Sequence, residues 1–274
     1  MPYQFERGRI YRMPTHFGPA PGPRQMPAEA NADSTRSPRK TLISASFLTE
    51  TSALERHIPD RFTLVGDPVV TVEFHYMTDI DWLAGRGYTM IHVWWPAVFK
   101  GVRDQVVGRF LAVMWENLAD PIITGRGEIG QPKLYAEIPE LRRVDGVYHC
   151  QASWMGFSFL DLRVTEVVDA IGETRPAPQM DGTLMLKYVP RTGAWGEADI
   201  CDVSFTPALT PDLTTESSKT GEGNVRFHRA GWRDLPTMYH VVNALSDLPM
   251  LSPRGASITT TRGGKSNLDQ QILK

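Results

Sequence analysis

The feature that most restricts how this chain can fold is a succession of short stretches rich in β-branched and aromatic residues. Turn residues separate them, and helix-length segments rarely intervene. TLISASF (41–47), VVTVEFHY (69–76), YTMIHVWW (88–95) and GRFLAVMW (108–115) open the series. GTLMLKYVP (182–190), ADICDVSF (198–205), GNVRFHRA (223–230) and GASITTTR (255–262) continue it. Such compositions fit a pleated, half-buried surface. VYHCQASWMGFSFLDLRVTEV (147–167) is too long for one strand and reads as a hairpin or two strands. Helical signals are fewer. TETSALERHIP (49–59) has a capping Thr or Ser at its start and Pro at its end, and WRDLPTMYHVVNALSDL (232–248) has helical apolar spacing in its second half. WENLADPIITGRGEI (115–129) holds a turn or two of helix. Without strand–helix alternation at βαβ length, a doubly wound parallel sheet is disfavoured. The pattern predicts an α+β chain, predominantly antiparallel β, whose sheet closes or nearly closes.

Residues 14–40, PTHFGPAPGPRQMPAEANADSTRSPRK, lack any apolar period and form an irregular Pro/Gly-rich arm. The expected division is therefore an arm over 1–40 and a single domain over 41–274. Of the 274 residues 41% are hydrophobic and 22% charged, enough to bury a core without disulfides or metals. A net charge of −2 leaves no basic footprint for nucleic acid, and no apolar run reaches membrane-spanning length. Cys150 and Cys201 form no CxxC pair and read as buried reduced thiols of a cytoplasmic protein. The N-terminus, MPYQFERGRIYRMP, has no apolar core of a secretory signal.

Few motifs point to chemistry. GRGEIG (125–130) fits the letters of a dinucleotide fingerprint, but Pro132 follows where a helix should start, so the segment reads as a glycine-relaxed turn. The seven histidines show no metal-motif spacing, and His75, His92 and His149 read as core or wall residues of strands, so no metal is expected. KTG (219–221) lacks its SxxK partner and falls in a polar loop. Lys133, in GQPKLYAEI, follows a proline and precedes apolar residues. Most lysines are solvated. One that enters an apolar strand is desolvated, its pKa falls, and its neutral amine can attack a ketone.

Four separated segments, ALERHIPDRFTLVGDPVVTVEF (53–74), DWLAGRGYTMIHVWWPAVFKGV (81–102), WENLADPIITGRGEIGQPKLYAEIP (115–139) and NALSDLPMLSPRGASIT (243–259), resemble the acetoacetate decarboxylase-like superfamily in order and spacing. The chain is identified as a divergent member. The resemblance implies a cone-like or partly closed β-barrel with a few covering helices, a homo-oligomer, and no cofactor. It implies that Lys133 is the nucleophile that forms a Schiff base, that Glu73 is a catalytic pocket carboxylate serving as proton shuttle or orienting group, and that Arg126 of the retained Gly-Arg pair favours the substrate's carboxylate. Tyr88 and Met90 fall in the pocket segment, with Met90 where the family's decarboxylases carry a second glutamate. Leu134 stands where they carry a second lysine. For the family's pocket arginine, Arg39, Lys40 and Arg24 are all candidates, and Glu128 lies one position beyond the family's GRE glutamate, which is Gly127 here.

The implied function is a Schiff-base lyase acting on a small keto acid, with β-keto acid decarboxylation as the family activity. Met90 and Leu134 motivate an alternative, aldolase or dehydratase chemistry on pyruvate-type substrates, because the iminium is an electron sink for all of these reactions. A non-catalytic barrel binding a small apolar carbonyl ligand is the remaining alternative. The partner is a small-molecule keto acid, with neither nucleic acid nor membrane.

Overall fold

A computed structural model describes residues 4–170, 180–208, 210 and 212–274; the first three residues of the arm lie outside these. Four long strands occupy the middle of one large sheet: β1 (Arg39–Leu48), β3 (Val69–Ile80), β4 (Arg86–Lys100) and β5 (Gln105–Glu116). One flank continues through β10 (Gly182–Pro190), β11 (Ala198–Pro207) and β14 (Gln271–Leu273). The other continues through β13 (Ser252–Arg262), β12 (Thr214–Phe227), β9 (Phe157–Asp169), β8 (Val147–Trp154) and β7 (Arg142–Val144). Two short strands join from the side: β2 (Phe62–Leu64) on β4 and β6 (Lys133–Tyr135) on β5.

The expected antiparallel, strand-dominated sheet is present, and the 147–167 stretch divides into β8 and β9 around Met155–Gly156. Closure into a barrel is not part of the observed pairing. Among the described residues the strand order is an open path from β14 to β7. Among the described residues the parallel pairings are those of β5 with β10 and with β6. Gly108 lets β10 approach, because a Cβ there would stand 2.7 Å from the Gly182 carbonyl oxygen.

Alternation along each strand gives the sheet two distinct faces. Val70, Val72 and Phe74 of β3, Ile91, Val93 and Trp95 of β4, and Val113 and Trp115 of β5 enter the main core. A helix, α3 (Tyr239–Ser246), contributes Val242 and Leu245 to that core. Trp115 donates its indole N–H to the Met238 sulfur at 3.3 Å beside it. The opposite face carries Glu73, His75, Met90, His92, Met114 and Glu116. Leu111, Met114 and Met185 form a separate small apolar cluster there, flanked by Met90 and Trp94.

Three local expectations change. The 49–59 helix is shorter, spanning only α1 (Thr51–Glu55), and two further turn bonds carry the chain to Ile58. Lys219–Gly221, read as a polar loop, lies inside β12, which is paired on both sides by β13 and β9. Two ladders of backbone hydrogen bonds outweigh the polar composition there. GRGEIG is a helix end. α2 (Ala119–Thr124) runs into a π-helical turn over Gly125–Ile129, and Gly130 terminates it in the left-handed region at φ 76°. Glycine at such a terminus carries no Cβ penalty.

Candidate active site

β6 is only three residues long, and its registry decides what it offers. Lys133 lies opposite Met114 and Leu134 opposite Trp115. Lys133 therefore points to the face of Met114, away from the main core, and Leu134 packs into that core. The Lys133 side chain is buried, with 5% of it exposed. Its Nζ stands 2.9 Å from Oε1 of Glu116 and donates a hydrogen bond to the Pro121 carbonyl at 2.8 Å. Pro121 lies in the first turn of α2, so the helix start and the end of β5 together fix the amine.

Glu116 is completely buried. Neither of its oxygens has a hydrogen bond of good geometry, so the contact with Lys133 is a close ion pair without an aligned donor. Burial pulls the Lys133 pKa below the usual lysine range, and the Glu116 charge opposes that shift. Burial likewise pushes the Glu116 carboxyl up against the opposing influence of Lys133. Both shifts favour the neutral pair, an amine beside a carboxylic acid.

The amine opens onto a cavity of about 560 Å³. Tyr88, Met90, His92 and Leu111 form part of its wall, and Pro23, Arg24 and Met26 of the arm form another part. Burial and the Glu116 carboxylate raise the Tyr88 phenol well above the usual range, so it stays protonated. Arg24 donates to Oε2 of Glu128 at 2.6 Å and to the Thr124 carbonyl at 3.3 Å. Arg12 also pairs with Glu128. The Pro/Gly-rich arm is thus pinned over the cavity of its own chain, with Glu128 of the π-helical turn as its anchor.

The expected site residues separate into groups. Lys133, Tyr88 and Met90 meet at the cavity. Glu73 is buried behind it, bonded to His75 Nε2 at 3.0 Å. Leu134 is not in the site, because strand alternation sends it to the opposite face. Arg126 is exposed, does not line the cavity, and donates to the Lys133 carbonyl at 2.7 Å; it braces the lysine's backbone. Of the three candidate basic residues, Arg24 reaches the cavity wall, Arg39 pairs with Glu216 at the surface, and Lys40 lies near Glu73. The residue missing from sequence reasoning is Glu116. Parity could have found it: Val113 and Trp115 read as core positions of β5, which leaves Met114 and Glu116 on the other face.

Residues 12–259 match the model of the acetoacetate decarboxylase family. An acetoacetate decarboxylase of Clostridium botulinum (strain Eklund 17B / Type B) is 26% identical over 220 residues, covering 76% of this chain and 82% of that protein. Among solved structures, an acetoacetate decarboxylase superposes with a TM-score of 0.67 at 18% identity, covering 86% of this chain and 87% of the other. The enduracididine biosynthesis enzyme MppR complexed with pyruvate superposes with a TM-score of 0.61 at 16% identity, covering 86% and 89%. At these identities the superpositions establish the fold, and the family match over residues 12–259 establishes the family. The chain belongs to the acetoacetate decarboxylase family and is a carbon–carbon lyase.

Proposed function

We propose that this enzyme forms a Schiff base between Lys133 and a small keto acid and uses the iminium to break a bond at the adjacent carbon. The observation that carries this reading is the buried amine 2.9 Å from a buried carboxyl group at a cavity wall. In the ion-paired state Glu116 takes the ammonium proton. The neutral amine then adds to the substrate carbonyl, and Glu116 returns a proton to the departing hydroxyl, which leaves as water. The positive iminium draws the electron pair of the breaking bond. For a β-keto acid, carbon dioxide departs and an enamine remains, which regains a proton at carbon. Tyr88, kept protonated, is a proton donor for that step. Arg24 places a fixed positive charge at the wall for the substrate carboxylate.

A carboxyl group still stands beside the amine although Met90 occupies the position of the family's second pocket glutamate. Met90 is the cross-strand partner of Glu116. The acid comes from β5 where the family supplies it from β4. Aldol or dehydratase chemistry on a pyruvate-type substrate is the second reading. The relocated acid favours it, since the position of the acid determines which bond at the adjacent carbon gains from proton transfer.

The test is reductive trapping. The protein is incubated with acetoacetate or with pyruvate, borohydride is added, and intact mass and the modified peptide are measured. An adduct on the peptide carrying Lys133, absent in Lys133→Met, is expected. Adducts elsewhere, or none with either acid, would remove the Schiff-base reading. Carbon dioxide release from acetoacetate selects decarboxylation, and an acetoacetate adduct without release selects the second reading.

A further inference from the structure

Beside the amine, the same sheet face holds a cluster of ligand-type side chains built around Glu73. Glu73 and His75 are two apart on β3 and so share a face, and His92 is the direct cross-strand partner of Glu73 on β4. One oxygen, Oε2 of Glu73, lies 3.0 Å from Nε2 of His75 and 3.7 Å from Nδ1 of His92. The ligand-type atoms of the three residues all lie within 4.8 Å of one another. The two imidazoles stand side by side, with ring centroids 4.2 Å apart. Their remaining nitrogens, Nδ1 of His75 and Nε2 of His92, are buried without a hydrogen-bond partner.

We propose that Glu73, His75 and His92 bind one divalent transition-metal ion, of the zinc or cobalt class, through two imidazoles and one carboxylate. In a tetrahedral site with bonds of about 2.0–2.1 Å, neighbouring ligand atoms stand about 3.3 Å apart. The observed separations of 3.0 and 3.7 Å bracket that value. Two nitrogens and one oxygen suit zinc, cobalt, nickel or ferrous iron and disfavour calcium or magnesium. Three protein ligands leave a coordination position free. His92 is the member that lines the cavity, so the free position lies toward bound substrate or water. A carbonyl or carboxylate oxygen there would be polarised a short way from the amine.

Arg109 and Lys40 are the neighbouring positive groups. Arg109 approaches the other Glu73 oxygen, Oε1, at 3.9 Å. That guanidinium is half exposed and lies over the Trp94 ring. It leaves Oε2 to the metal and orients the carboxylate as outer partners of metal ligands do. The proposal does not depend on Lys133 being a nucleophile.

Chelator-treated full-length protein is titrated with cobalt(II) alone, with visible absorption and metal content after desalting as readouts. One equivalent per chain is expected, together with hyperfine-shifted imidazole N–H resonances from two histidines in the wild-type protein. Glu73→Gln and His92→Gln should each weaken binding by about 100-fold or more, beyond the 10–100-fold typical of outer partners, whereas Lys133→Met should keep it. Cobalt binding by the wild-type protein together with failed trapping in that same protein would sink the Schiff base and not the metal. Stoichiometry well below one, or shifted resonances absent from the wild type, would overturn the proposal whether or not the variants fold. Binding unchanged in both ligand variants would overturn it as well.

Discussion

Gly125 gives the sharpest test of whether the Lys133 amine occupies a single required position. A Cβ at residue 125 would stand 2.5 Å from both Cε and Nζ of Lys133 and 2.6 Å from Oε1 of Gln131. Carbon contacts settle at about 3.5–4.0 Å, so Gly125→Ala requires the amine to move by about 1 Å. A lysine end is normally flexible, but here Glu116 at 2.9 Å and the Pro121 carbonyl at 2.8 Å hold it. A shift of that size costs on the order of 100-fold in a positioned reaction. Stability should change far less. Overpacking costs about 1–3 kcal/mol. Gly125 has right-handed helical dihedrals, φ −68° and ψ −43°, so alanine recovers up to about 1 kcal/mol of helix propensity. The expected result is a borohydride-trapping rate lowered about 100-fold with a denaturation midpoint little changed. Gly127→Ala is the control. It lies in the same π-helical turn, a Cβ there meets nothing within 4 Å, and its trapping rate should equal the wild type's. Equal rates in Gly125→Ala and Gly127→Ala would refute the claim that the amine's position matters.

Glu116→Gln removes the charge that opposes burial at Lys133, so the pH profile of trapping should move to lower pH; an unmoved profile would mean the pair is already neutral. Lys133→Met leaves Glu116 buried without its cation, and burial raises that carboxyl's pKa. A carboxyl with a raised folded pKa destabilises above that pKa and not below the unfolded value. The variant's deficit, about 3 kcal/mol by the cost of breaking a buried pair, should be present at neutral pH and shrink on acidification in urea titrations. Glu128→Gln loosens Arg12 and Arg24, so proteolysis within 14–40 should accelerate and KM rise about tenfold, the equivalent of about 1.4 kcal/mol. Met90→Glu places a second carboxyl opposite Glu116; a gain in carbon dioxide release from acetoacetate is expected, and a loss of all trapping would count against position 90 as the selector of the reaction.

The strands were legible because their signal is local. β-Branched and aromatic runs marked β1, β3, β4, β5 and β10 within a few residues. β12 was cut short because Thr214–Gly221 has a polar, loop-like composition, and pairing with two neighbours decides its state. The lysine was legible through the family's segments and its apolar setting. Its partner was not, for a reason of register. Sequence comparison asks whether a glutamate stands at a given position of one strand, and at position 90 it does not. On the adjacent strand a buried carboxyl group, Glu116, faces Met90 and stands 2.9 Å from the lysine amine. The same limit applies to Glu73, His75 and His92. Metal motifs are recognised by spacing along one element, such as two histidines four apart on a helix. Here one pair is two apart on a strand and the third member lies across the ladder, so no string of letters records the cluster. Arg24 is a longer-range case still, since it reaches the site only because an arm without any periodicity is held down by Glu128, one position beyond where the family's motif places its acid. In each instance the element was readable from its own residues. The site, by contrast, is a property of which neighbours the register brings opposite one another, so a reaction assigned from the Met90 position alone leaves out the carboxyl group that β5 places beside the amine.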